Sequence, residues 1–132
     1  MIPSLKQLVV AMGVLALIDS AWLFTAGRYA LEMTNRIQGS AVVFNYGAAL
    51  VVYVALAYLV YQVASVQEAA LLGAATYAVY DFTSLAILKK YELGMAVADT
   101  LWGGVLFAAT YSVLKYFKVY CLPIVSSHSA LY

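Results

Sequence analysis

The sequence has few of the residues that build soluble catalytic sites. It contains one cysteine and one histidine, and only 10% of its 132 residues are charged. With Cys121 alone, one chain forms no internal disulfide and no multi-cysteine metal site. With His128 alone, in a polar C-terminal tail, it forms no zinc site of several histidines and no intramembrane Ser-His-Asp triad. Soluble domains carry about 25% charged residues, so this deficit indicates lipid as the solvent.

Long apolar stretches make up most of the chain, which is 66% hydrophobic. A membrane-spanning helix needs about 20 mostly apolar residues. Four segments meet this requirement, at about residues 5–24, 41–64, 69–88 and 94–116. We therefore predict an all-α, multi-pass integral membrane protein. A single domain over residues 1–132 would form an antiparallel four-transmembrane-helix bundle, with both termini on the same side and a tail over residues 117–132.

The first apolar segment also resembles a cleavable signal peptide, because the basic residue Lys6 precedes it. Against this interpretation, Asp19 interrupts the end of the segment and no Ala-x-Ala cleavage site follows. A membrane span is therefore favoured.

The connections between the segments are mostly short. Residues 65–68 and 89–93 would join antiparallel neighbours, whereas the longer, mixed stretch 25–40 would lie at the membrane surface as a turn of helix. The predicted termini side carries three basic residues and the other side four, which does not set the orientation. The two sets are Lys6, Lys115 and Lys118, against Arg28, Arg36, Lys89 and Lys90.

Two residue types have both a common and a specific explanation. Many of the 12 tyrosines, including Tyr58, Tyr61, Tyr91, Tyr116 and Tyr120, fall near span ends, where an aromatic belt is expected. Small residues at spacings of four would let two helices approach closely, unless alanine is simply common here. These are Ala70, Ala74 and Ala78 in the third segment, and Gly104 and Ala108 in the fourth.

Three aspartates interrupt the apolar segments: Asp19, Asp81 and Asp99. A charged residue at membrane depth costs about 2.5 kcal/mol or more, so it usually has a partner or a function. Because the chain reverses at each turn, these acids and Asn45 would lie in one leaflet, roughly 6 to 11 Å below its surface. The same layer would contain Trp22, Thr83, Ser84, Thr100 and Trp102. The other leaflet would hold Met12, Tyr53, Thr76 and Thr110, and no acid.

The acid layer also has structural explanations. Arg28, near Asp19 in the sequence, could fold back over the layer, or its side chain could extend outward to the surface. Asp99 could be the N-cap of the fourth helix, and Asp19 could be hydrated at a helix end. Asp81 is the hardest of the acids to explain in this way, because its span continues around it.

These residues also resemble a known family. The sequences Tyr-Asp-Phe-Thr-Ser-Leu-Ala at 80–86 and Asp-Thr-Leu-Trp-Gly at 99–103, with Gly73 and Tyr77, are similar to motifs of the DUF2177 family of small membrane proteins. Asp19 with Trp22 fits the family's Asp-x-x-Trp pattern, and Asn45 matches a polar position. Ser84 stands where the family usually has asparagine. The resemblance covers roughly residues 8 to 116 and implies a compact four-span protein, with no established reaction.

Three functions fit this sequence. The first is binding or translocation of a small ligand, a cation or a proton by Asp19, Asn45, Asp81 and Asp99. The second is an accessory subunit of a larger membrane complex, or a homo-oligomer, in the lipid bilayer. The third is a lipid-modifying enzyme that uses Mg²⁺, Ca²⁺ or Mn²⁺, although the Asp-x-x-Asp motif of such enzymes is missing. We favour binding over catalysis. The sequence identifies no cofactor or metal, and with a net charge of +1 and no basic run it argues against a nucleic-acid partner.

Overall fold

The computed structural model describes residues 2–119, which form five helices and no strand. The predicted tail beyond residue 119, with Tyr120, Cys121 and His128, lies outside the described residues. The all-helical prediction is confirmed for the described part of the chain. The helices are α1 (Leu5–Thr25), α2 (Gly27–Gln38), α3 (Tyr46–Val60), α4 (Val66–Ile87) and α5 (Leu93–Tyr116).

Three of these helices are long and apolar enough to cross a membrane. They are α1, α4 and α5, with 21, 22 and 24 residues. Their outer surfaces are apolar as well: Val79 on α4 is 70% exposed and Leu101 on α5 is 65% exposed. Helices that are apolar on every side are typical of membrane spans, where lipid covers the outward face.

The second predicted span is shorter than expected. A continuous segment over residues 41–64 was predicted, but α3 has only 15 residues. Residues 41–45 are irregular, and the Asn45 side chain caps the helix by accepting a hydrogen bond from the Ala48 amide at 3.0 Å. At the other end, the chain leaves the helix at Tyr61. The expectation of a continuous helix through Asn45 was therefore wrong, because its short polar side chain is used as a helix cap.

The connections on either side of α4 also differ from those predicted. Residues 65–68 were assigned to a link, yet Ser65 is the N-cap of α4 and accepts a hydrogen bond from the Glu68 amide at 3.1 Å. Glu68 in turn accepts one from the Ala64 amide at 2.7 Å. The Ser-x-x-Glu spacing, which begins the helix before its apolar stretch, is a pattern visible in the sequence. Here the glutamate accepts from the amide that precedes the N-cap. The next connection runs from Leu88 to Glu92, and α5 follows it.

The predicted surface segment contains α2. This helix has 12 residues, buries Met33 and ends at Gly39, whose φ of 73° is in the left-handed region. Arg36 forms an ion pair with Glu92, with 2.6 Å between Nη2 and Oε2, and the Tyr29 hydroxyl also donates to Glu92. A helix between the first two predicted spans is thus confirmed, and it is tied to the residue that precedes α5. Its location at a membrane surface stays a prediction.

The tightest packing lies between α4 and α5. A Cβ atom added to Gly73 would lie 2.2 Å from the Gly103 carbonyl oxygen, and one added to Gly103 would lie 2.6 Å from the Gly73 carbonyl oxygen. One added to Gly104 would lie 3.1 Å from the Ala70 carbonyl oxygen and 3.5 Å from Ala74 Cβ. Small residues let the two backbones touch, as predicted for Ala70, Ala74 and Gly104.

Helix α1 packs against α3 and α5. At one end of these helices the Gln7 side chain donates to the Val119 carbonyl oxygen at 3.0 Å, and the Tyr61 hydroxyl donates to the Gln7 carbonyl oxygen at 2.9 Å. Between this end and the acids lies an apolar core, which includes Ala11, Leu15, Leu56, Ala57, Val60, Leu106, Phe107 and Leu114. The core therefore separates the acids from the end that contains Gln7 and Val119.

Candidate functional site

Asp19 on α1 is held by donors from two other helices. Its Oδ2 atom accepts a hydrogen bond from the Tyr53 hydroxyl at 2.6 Å, and its Oδ1 atom accepts one from the Trp102 indole N–H at 2.8 Å. Its side chain is only 8% exposed, so the alternative of a hydrated acid at a helix end is wrong. Because both oxygens have donors, Asp19 connects α1, α3 and α5.

The two tryptophans of the repeated Asp-x-x-Trp pattern meet face to face. The rings of Trp22 on α1 and Trp102 on α5 stack with their centroids 5.4 Å apart and an interplanar angle of 7°. Residues three apart on a helix lie on one side, so each tryptophan lies on the same side of its helix as Asp19 or Asp99. The pattern therefore brings two helices together around acids.

Asp81 on α4 is the most enclosed of the acids. It is 1% exposed, and its Oδ1 atom accepts a hydrogen bond from the Tyr91 hydroxyl at 2.6 Å. Its Oδ2 atom is buried and has no hydrogen-bond donor within residues 2–119. A buried acceptor without a donor costs about 1–3 kcal/mol. One oxygen of the Asp81 carboxyl is thus left available.

Asp99 on α5 lies close to Asp81. Its carboxyl is close enough to interact with the Asp81 carboxyl and with the Trp22 indole. The alternative that Asp99 is a helix N-cap is wrong, because α5 begins at Leu93 and Glu92 holds the cap position. The helix extends past Asp99 and presents it to α4. Two acids from neighbouring helices therefore face each other inside the protein.

The other predicted site residues are distributed unevenly. Ser84 is buried three residues after Asp81, whereas Thr83, two residues after it, is exposed on another side of α4. The Thr100 hydroxyl is enclosed and has no hydrogen-bond partner within the described chain. Asn45 is exposed at the start of α3. The structure thus groups Ser84 with Asp81, but separates Asn45 and Thr83 from the acids.

No basic side chain of the described residues neutralises the acids. Arg28 is exposed on α2 and borders a shallow surface depression with Leu23, Phe24, Gly27 and Leu31. The ion pair within residues 2–119 is Arg36 with Glu92. Within the described residues Arg28 forms no ion pair with Asp19, in contrast to the prediction that it folds back over the acid layer. In the same part of the chain, no three Asp, Glu, His or Cys residues are grouped to hold a metal ion.

Tyrosines are the site residues that the sequence did not identify. Tyr91 was assigned to an aromatic belt, but its hydroxyl binds Asp81. Tyr53 was placed in the other leaflet, but its hydroxyl reaches Asp19. The long phenol side chain carries its hydroxyl well away from its own backbone, so the depth of the backbone was a poor guide. The position of Tyr91 in the short connection between the two helices that carry Asp81 and Asp99 was the available signal.

A cavity of about 440 Å³ leads to Asp99. It is lined by Val52 and Leu56 of α3, Thr76, Tyr77 and Tyr80 of α4, and Asp99 of α5. The Thr76 hydroxyl donates to the Leu72 carbonyl oxygen of its own helix at 2.7 Å, so its proton is not available to a molecule in the cavity. The cavity thus has largely apolar walls and an acid within it. Its volume lies in the range of about 300–1,000 Å³ typical of ligand pockets.

The contact between Tyr91 and Asp81 predicts a dependence of stability on pH. Burial, followed by the hydrogen bond to Asp81, raises the pKa of Tyr91 above its usual value of 10.0. The stabilisation is complete below pH 10 and is lost as the pH rises through the higher pKa of the folded protein. We expect Tyr91→Phe to lower the free energy of unfolding by about 1–3 kcal/mol. We also expect this free energy to fall less steeply at alkaline pH in the variant than in the unchanged protein.

Chemical unfolding of the purified protein between pH 7 and pH 11 tests this expectation. Tyr58→Phe is the matched control, because it removes a hydroxyl from an exposed tyrosine of α3. Equal alkaline profiles for Tyr91→Phe and Tyr58→Phe would show that the Tyr91 proton does not stabilise the fold.

Comparison with known proteins agrees with these observations. The sequence profile of a family described as "Predicted membrane protein (DUF2177)" matches residues 4–117. No curated protein and no solved structure matches the chain. The match includes all five helices, three of which are long and apolar enough to span a membrane. The chain is a multi-pass membrane protein and belongs to the DUF2177 family.

Proposed function

We propose that this protein binds a small ligand that carries a positive charge or hydrogen-bond donors, at Asp81 and Asp99. One observation carries the proposal: the buried Oδ2 atom of Asp81 has no donor within residues 2–119, and the Asp81 carboxyl lies close to a second carboxyl, that of Asp99, which lines a cavity. A proton, another cation or an ammonium group supplies what this pair of acids lacks. Such a site at membrane depth is also what translocation of the ligand requires.

Within this proposal the three intramembrane acids have different roles. Asp19 positions helices, because both of its oxygens already accept hydrogen bonds from the protein. Asp81 binds the ligand because its Oδ2 atom has acceptor capacity that the described residues do not use, and Asp99 binds it because its carboxyl lines the cavity close to Asp81. The stacked Trp22 and Trp102 rings form one side of the site and report on its occupancy, since Trp22 lies close to Asp99.

We also infer that α3, together with residues 41–45, forms the fourth span of a single antiparallel domain. Fifteen helical residues reach about 22 Å, less than the roughly 30 Å of a bilayer core. Irregular backbone inside a membrane needs protein partners. Here the Asn35 side chain accepts from the Val42 amide at 3.0 Å, and the Gln38 side chain donates to the Ala41 carbonyl oxygen at 3.0 Å. The contacts of Gln7 with Val119 and Tyr61 support having the N-terminus and the end of α5 on one side.

Titration with ethylammonium tests the proposed site. A three-heavy-atom ligand gains at most about 1.5 kcal/mol per atom, so we expect a Kd of about 1 mM at best. The purified protein, in nanodiscs of zwitterionic lipid, would be titrated at constant ionic strength, and tryptophan fluorescence would report binding. We expect Asp81→Asn and Asp99→Asn to weaken binding at least about tenfold, because each removes a charge-assisted hydrogen bond.

Glu32→Gln is the control, since it removes one negative charge from an exposed position on α2. It should bind ethylammonium as the unchanged protein does. A fluorescence change that depends on pH but not on ethylammonium, and that disappears in Asp99→Asn, would identify a proton as the ligand and would support the proposal. The proposal would be overturned if Asp81→Asn and Asp99→Asn both gave the same fluorescence titration curves as the unchanged protein, with ethylammonium and with acid.

A further inference from the structure

The cavity at Asp99 differs in chemistry between its outer and inner ends. Val52 is 53% exposed and Tyr80 is 66% exposed, so these two residues lie at the opening on the outer surface of α3 and α4. Leu56 is buried in the apolar core, and Asp99 is partly buried. A molecule in this cavity therefore meets Val52 and the Tyr80 ring at the opening and the Asp99 carboxyl further in.

The opening lies between two helices that barely touch. Helix α3 packs mainly on α1, whereas α4 packs mainly on α5, and α3 and α4 meet at only a few positions. In a membrane, lipid tails cover the outward faces of α3 and α4. The cavity thus opens toward the hydrocarbon region rather than toward the end of the helices, and a ligand dissolved in the bilayer reaches it directly.

From this arrangement we propose that the ligand is a single-chain amphiphile with a primary ammonium head group, which enters from the bilayer between α3 and α4. This inference rests on the proposed binding function of Asp81 and Asp99 and specifies the class of ligand. The head group lies between the two carboxyls, and the chain extends past Leu56 and Thr76 to the opening at Val52.

The acids determine the choice of head group. A primary ammonium has three N–H donors and a positive charge. Asp99 lines the cavity and can accept from the ammonium directly. Asp81 lies behind the cavity lining, close to Asp99, and in this proposal its Oδ2 atom, which has no donor within the described chain, accepts a second N–H. A quaternary ammonium has the same charge but no N–H group, so it leaves the buried oxygen without a donor. A carboxylate or phosphate head group would be repelled by both acids.

The walls of the cavity determine the choice of tail. Val52 and Leu56 are aliphatic, the Thr76 hydroxyl is used within its own helix, and Tyr77 lies over Gly103 with its ring carbons. An apolar chain loses no hydrogen bonds on moving from lipid into such a cavity. A short polar ligand fills only the inner end and makes no use of the opening.

Dodecylamine is the probe that tests this inference, with dodecyltrimethylammonium and ethylammonium for comparison. Val52→Phe narrows the opening, and Val51→Phe makes the same change at the adjacent, 67% exposed position of α3 outside the cavity. Both variants keep Trp22 and Trp102 as the two tryptophans of the chain, so fluorescence reports on the site in each. The full chain is used in nanodiscs of zwitterionic lipid, with the amphiphile expressed as a mole fraction of lipid.

We expect dodecylamine to bind at least about tenfold more weakly to Val52→Phe than to Val51→Phe, while ethylammonium binds the two variants equally. We also expect dodecyltrimethylammonium to bind the unchanged protein at least about tenfold more weakly than dodecylamine does. The inference is overturned if dodecylamine binds Val52→Phe and Val51→Phe equally, or if Val52→Phe weakens the binding of dodecylamine and of ethylammonium to the same extent. It is also overturned if dodecyltrimethylammonium binds the unchanged protein as tightly as dodecylamine does. A different result would overturn the proposed function: ethylammonium and acid titrations that are the same in Asp81→Asn and Asp99→Asn as in the unchanged protein.

Discussion

Replacing Gly103 with alanine is expected to lower the free energy of unfolding by about 2–3 kcal/mol, the upper part of the usual range for overpacked positions. The new Cβ atom would lie 2.4 Å from Tyr77 Cγ and 2.6 Å from the Gly73 carbonyl oxygen. The Gly73 carbonyl is backbone, and Tyr77 Cγ is the ring atom nearest its own backbone, so neither moves without shifting α4. Because Tyr77 also lines the cavity, the same change should weaken ligand binding.

Gly13→Ala is the matched control for this substitution. Gly13 lies on α1 with no heavy atom within 4 Å of an added Cβ atom, so alanine should be neutral or stabilising by up to about 1 kcal/mol. Each variant is unfolded with increasing concentrations of a denaturing detergent, and the loss of helix is monitored by circular dichroism. Equal stability of Gly103→Ala and Gly13→Ala would contradict direct backbone contact between α4 and α5.

Asp19→Ala is expected to cost about 2–4 kcal/mol of folding free energy. The substitution leaves the Tyr53 hydroxyl and the Trp102 indole N–H without the acceptor that both use, at about 1–3 kcal/mol for each buried donor. The loss should be smaller when Tyr53 is already phenylalanine, because one of the two donors is then missing. A double-mutant cycle of Asp19→Ala and Tyr53→Phe should therefore give a coupling free energy of about 1–2 kcal/mol.

The cycle is measured by equilibrium unfolding of the four proteins under one set of detergent conditions. Tryptophan emission provides a second signal, since Asp19→Ala changes the environment of the Trp102 indole. Tyr58→Phe with Asp19→Ala is the control pair and should be additive, because Tyr58 is an exposed tyrosine on the same helix as Tyr53. Strict additivity in the Tyr53 cycle would contradict a joint structural role for these residues.

The sequence predicted most of the helices and the presence of the acids inside them. Apolar length alone located α1, α4 and α5 to within a few residues at each end. It failed for α3, because residues 41–45 and 61–64 are apolar enough for a span but do not continue the helix. Asn45 was the available signal for the start of that helix, since asparagine is a common N-cap.

The interior of the site could be predicted less well than the helices. Depth along a span predicts one layer of backbone for Asp19, Asp81 and Asp99, but it does not show which donors each side chain meets. Tyr53, Tyr77 and Tyr91 approach the acids through the lengths and directions of their side chains. The close approach of α4 and α5 depends on Gly73 as well as Gly103, and only the packed structure shows that these two glycines face each other.

Infrared difference spectroscopy of the purified protein, with and without ethylammonium, tests most directly whether Asp81 and Asp99 bind the ligand. The ligand should perturb carboxyl bands, because its N–H groups donate to Asp81 and Asp99. If these two acids bind the ligand, the perturbation is present in the unchanged protein and in Glu32→Gln, and is lost in the combined Asp81→Asn and Asp99→Asn variant. A carboxyl perturbation that persists undiminished in the combined variant would contradict the assignment of these two acids as the binding site.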